Sequence, residues 1–64
     1  MSLMEDKVIE ATLLIAATTN QREFELALSK LRNITREIAK IDVLSAFLRF
    51  EEFYTYLTLR VFIR

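Results

Sequence analysis

Apolar positions along this chain recur at helical spacing in three blocks. The clearest block runs from Asn20 to Ile41, where Phe24, Ala27, Leu31, Ile34, Ile38 and Ile41 fall alternately three and four residues apart. That spacing sets them on one stripe of an α-helix, the pattern of a bundle or coiled-coil seam. Leu28 and Thr35 widen the stripe, and Arg22, Glu25, Arg32, Asn33, Arg36 and Lys40 lie mostly off it. Ahead of it, Met4, Val8, Ala11 and Ile15 form a second stripe, with Ile9, Leu13 and Ala16 beside it. Ser2 is placed to cap this first helix, and Glu5 and Asp6 sit in its opening turns, where the macrodipole favours acids. The third stripe is Val43, Phe47, Phe50, Tyr54, Leu57 and Val61.

The breaks between blocks carry turn chemistry. Thr18, Thr19 and Asn20 are poor helix formers that favour caps, and Asn20 followed by Glu23 has capping-box spacing. A turn here makes the first two helices antiparallel neighbours; the alternative is one helix unbroken through Thr18 and Thr19. At Asp42 the apolar face switches sides, which predicts a turn with Asp42 as N-cap, or else a continuous helix buried on opposite faces at its two ends. Near the C-terminus Phe53, Thr55, Leu57, Leu59, Val61 and Ile63 also alternate, as a strand would. Helix is the expectation, because the stripe begins at Val43 and no turn residue intervenes. The fold expected is therefore all-α, one small domain over residues 1–64 with helices near 3–18, 20–41 and 43–63, assembling as an oligomeric helical bundle. The alternative is an α+β chain whose strand 53–63 pairs between subunits. Met1, Ser2 and Leu3 ahead of Met4 read as a cloning leader.

Composition sharpens the picture. There is no Gly and no Pro, so turns that need positive φ lack their preferred residues, and a few long helices joined by short capped turns suit the chain best. Hydrophobic residues make up 53 % of only 64 positions, and most are large. A chain this short buries only about 60 % of the surface its unfolded form exposes. With no Cys, disulfides are excluded, and without Cys or His the usual transition-metal sites are missing too. Self-association is the remaining route to stability, so part of the apolar surface is expected to face another chain.

Net charge is zero, yet unevenly spread: residues 1–25 hold five acids against Lys7 and Arg22, and residues 26–50 hold five bases against Glu37 and Asp42. The apolar run Leu13–Ala17 is far below the ~20 residues needed to span a bilayer. A secretory leader would begin with basic residues, whereas this chain opens on Glu5 and Asp6, so the cytoplasm is the expected location.

For chemistry the sequence offers little. Missing His and Cys removes the commonest general base and the strongest nucleophile. Glu51 and Glu52 point about 100° apart on a helix, so they do not share a proton readily. A glycine-rich phosphate loop is ruled out. No enzyme, cofactor or metal is expected. Two surfaces remain. The aromatic stretch reads as an oligomer interface built from Phe47, Phe50, Tyr54, Leu57, Val61 and Phe62, with a membrane-contact helix bordered by Arg49, Arg60 and Arg64 as a rival. Arg32, Arg36 and Lys40, four apart on the second helix, form a basic ridge able to meet nucleic-acid phosphates, or else an ordinary solvated face. The expected role is a small interaction or regulatory module whose partner is itself or another protein; the alternative is a dimeric nucleic-acid-binding protein.

Overall fold

A computed structural model describes residues 2–63, and those residues form three α-helices: α1 (Leu3–Ala17), α2 (Phe24–Ala39) and α3 (Val43–Phe62). Side-chain caps set the starts of α1, of the short turn ahead of α2, and of α3. Ser2 Oγ accepts the Glu5 N–H at 3.1 Å. Asn20 Oδ1 accepts the Glu23 N–H at 3.2 Å, and Glu23 Oε1 reaches back to the N–H of Thr19 rather than that of Asn20. The expected capping box thus closes one residue early. Chain 21–23 forms a 3₁₀ turn that feeds α2.

At the second corner Asp42 takes the N–H groups of Leu44 and Ser45 on one carboxylate oxygen and the Ser45 hydroxyl on the other, at 2.9 Å. These bonds hold its carboxyl below the ordinary value of 3.8; the Ser45 hydroxyl contributes most, then the Ser45 N–H. No described residue has positive φ. Both corners are made by extended residues after a helix end, Thr18 and Asp42, which explains how two turns form without glycine. The helix therefore breaks at Thr18 and again at Lys40–Asp42, and neither unbroken-helix alternative is adopted. Residues 53–62, which also fit a strand pattern, lie within α3.

The core collects Ala11 and Ile15 from α1, Ala27, Leu28, Leu31, Ile34 and Ile38 from α2, and Ala46, Phe53, Leu57 and Val61 from α3. Each helix contributes one fully enclosed alanine in this way, a small side chain that lets a neighbour approach closely. The α2 seam is the expected one, except that Ile41 falls in the turn and is half-exposed. On α3 the seam differs. Ala46 and Phe53 are buried while Val43, Phe47 and Tyr54 are exposed, so the inward face is Ala46, Phe50, Phe53, Leu57 and Val61. Expected and observed stripes share Phe50, Leu57 and Val61. The expected line runs through the large aromatics Phe47 and Tyr54, whereas the position buried nearest the corner is the small Ala46.

One long-range contact ties the ends of the bundle. Arg60 donates from Nε to the Thr18 carbonyl at 3.2 Å and from a terminal nitrogen to the Ala16 carbonyl at 2.8 Å. These carbonyls belong to the last turn of α1, which has no basic residue of its own. A guanidinium from α3 thereby satisfies orphan acceptors and opposes the negative end of the α1 dipole.

Candidate functional site

The feature that needs explaining is the surface. Fourteen large apolar residues remain exposed among the described ones, against a core of eleven. Five of them cluster. Ile41, Val43, Leu44, Phe47 and Leu48 fall within eight residues at the α2–α3 corner, with exposures of 50 %, 73 %, 67 %, 63 % and 58 %. Each offers on the order of 100 Å² of apolar area, which puts the patch at the upper end of what a monomer ordinarily shows. The whole surface is 4610 Å². A monomer of this mass is expected to expose roughly 4300 Å².

An aromatic row extends the patch along the outside of the α2–α3 groove. Phe24 meets Phe62 edge-on with ring centres 5.0 Å apart and Tyr54 at 6.4 Å, and Phe50 lies 6.2 Å from Tyr54. Of the six residues expected at an interface, Phe47, Tyr54 and Phe62 are therefore exposed on one side of the bundle, and Phe50 is partly covered. Leu57 and Val61 are enclosed by their own chain and offer no surface to another. The structure adds Ile41, which the expected α2 stripe turned inward, and Leu44 and Leu48, which lie on no expected stripe. Their signal was present: Leu44 and Leu48 are four apart, so α3 is apolar on more than one side. A second exposed set, Ile9 and Leu13, lies on the outer side of α1.

Arg32, Arg36 and Lys40 are all exposed on α2. Lys40 pairs with Glu37 at 3.2 Å, whereas no carboxylate lies within ion-pair distance of Arg32 or Arg36 among the described residues. The α1-facing side of α2 is marked by Lys30, Asn33, Ile34 and Glu37, which line a cleft of about 400 Å³ with Lys7, Glu10 and Leu14. At 100° per residue Arg32 lies nearly opposite Lys30, which places it on the flank nearest α3. A second groove, about 270 Å³ between α1 and α3, is lined mainly by apolar groups, with Glu52 and Arg60 at its edge. Among the described residues no three carboxylates come together as a metal-binding group, and no helix is long and apolar enough to cross a membrane.

Comparison with protein-family models, with curated proteins and with solved structures finds no match for this chain. The functional reading therefore rests on the surface itself.

Proposed function

We propose that this chain is a small, non-catalytic, homo-oligomeric interaction module that acts in the cytoplasm and assembles through the exposed apolar face of α3. The observation that carries the reading is the corner patch of Ile41, Val43, Leu44, Phe47 and Leu48. Exposing five such side chains forgoes several kcal/mol of burial at about 1.5–3 kcal/mol per residue, a loss a second chain would recover. The interface moves from the core residues Leu57 and Val61 to this corner, with Phe47, Tyr54 and Phe62 retained.

Sedimentation equilibrium tests it. The wild type is expected to sediment as a dimer or larger species, and Phe47→Asp as a monomer with unchanged helical circular dichroism, since Phe47 is outside the core. A wild type that stays monomeric at millimolar concentration defeats the reading.

A second reading is favoured by one observation: Arg32 and Arg36 are exposed and unengaged by acids among the described residues. As phosphate contacts they would bind duplex DNA at low salt, with affinity falling steeply as salt rises. Retention of random-sequence duplex at low salt, lost in Arg36→Glu, would establish it over the interaction module.

A further inference from the structure

We infer that the partner at the corner patch is a second copy of this chain, held by two-fold symmetry about an axis along the α2–α3 groove, with Arg32 of each subunit facing the partner's Glu51 and Arg36 beside it, nearer the corner. This inference rests on the self-association reading and adds its geometry and its specificity. A two-fold interface is self-complementary: if it carries charge it must carry both signs. The α2–α3 side does so. Arg32 and Arg36 flank the groove on α2, Glu51 is exposed on α3, and none of the three takes part in an ion pair within the described residues.

Arg32 and Glu51 match in height along the bundle, and Arg36 sits about 7.5 Å nearer the corner than Glu51. The hairpin turns at Lys40–Asp42, so residues equally distant from Ile41 lie level with one another. Arg32 is nine residues before Ile41 and Glu51 ten after it. At 1.5 Å per residue the two differ in height by only about 1.5 Å. An axis parallel to the helices lays α2 of one subunit over α3 of the other, which sets opposite charges face to face at the same level. An in-plane axis across the helices at the level of Arg32–Arg36 instead lays α2 over α2, which stacks arginine on arginine, and such like-charge contacts are strongly disfavoured.

Apolar content fits the same arrangement. Phe47 and Tyr54 lie beside the groove and meet their own counterparts at the axis. Leu44 falls beneath the aliphatic stem of the partner's Arg36, a use of arginine that covers apolar surface while the head group stays in water. The corner patch, on the order of 500 Å², is short of the ≈ 800 Å² per partner of a standard interface. The aromatic row and the arginine stems supply the difference.

The test uses the full chain in two charge-reversed forms, Glu51→Arg and the double variant Arg32→Glu/Arg36→Glu. All three side chains are exposed and none makes a hydrogen bond in the described residues (Thr55 bonds only the Glu51 backbone carbonyl), so both forms are expected to fold. Each alone should self-associate about tenfold more weakly than wild type, because exposed ion pairs of modest strength are replaced by repulsion at two symmetric places. Mixed in equal amounts, the two should form a heterodimer within about threefold of the wild-type affinity, measured by native mass spectrometry and sedimentation. Unchanged association of both forms overturns the inference but leaves the apolar module standing. Tighter association of the double variant also overturns it, because acids at 32 and 36 would then not be facing Glu51. Loss of duplex DNA binding without a change in assembly assigns the arginines to nucleic acid and also overturns it. A monomeric wild type removes the inference together with the reading beneath it.

Discussion

Asp42 shows how much one side chain decides here. Its carboxylate accepts three hydrogen bonds at the start of α3, two from backbone N–H groups and one from Ser45. Replacing it with Ala should lower the thermal midpoint more than Ser2→Ala does, since Ser2 caps through a single bond. The carboxyl is held below its ordinary value of 3.8. A depressed folded value means stability that is present above the unfolded value and lost as pH falls through the lower folded one. The difference in midpoint between wild type and Asp42→Asn should thus be widest above about pH 4 and close on acidification. Arg60 is the other decisive residue. Arg60→Ala should cost about 1–3 kcal/mol in urea unfolding, because two carbonyls at the end of α1 lose their donor. Thr58 runs the other way. Its hydroxyl and that of Thr35 are buried without a hydrogen-bond partner among the described residues. Thr58→Val should stabilise by about 1 kcal/mol, since a group already stripped of water is removed at little change of shape.

Among the elements, α2 is the organiser and α1 the least committed. α2 contributes five of the eleven core residues, and Leu31 and Ile38 on it are fully enclosed. Leu31→Ala should cost about 2–5 kcal/mol by loss of transfer energy and the cavity left behind. For a chain of this length total stability is on the order of 3–10 kcal/mol, so circular dichroism should show a thermal midpoint lowered by about 10–30 °C. By contrast α1 is apolar on both sides, and only Ala11 and Ile15 are buried, while Ile9 and Leu13 face outward. On α3 the periodicity identified the helix but not which stripe turns inward. Its apolar residues cover most of the circumference, so several stripes three and four apart are available. The choice fell to Ala46 and Phe53 once the short corner fixed how α3 leaves α2.

For the molecule as a whole, the extents of 33 × 20 × 17 Å describe an elongated bundle whose long dimension is about the length of α3. A three-helix arrangement of this slenderness has little interior. That is why fourteen large apolar residues stay outside among the described ones. The monomerising effect expected of Phe47→Asp belongs to this scale. It should alter sedimentation and leave the unfolding midpoint of dilute protein nearly unchanged, since at low concentration there is no assembly to lose.

What the amino-acid sequence determined by itself was local: three helices, their caps at Ser2, Asn20 and Asp42, two turns built without glycine, and the seam of α2. Each of these is a property of residues within four positions of one another, where spacing and side-chain chemistry are sufficient. The tertiary structure alone decided which side of α3 is inward, that Leu57 and Val61 belong to the core and not to an outer face, and that Arg60 closes the end of α1 across 42 residues of chain. Those outcomes depend on how closely helices approach at a corner and on distances between residues far apart in sequence, which helical periodicity does not encode.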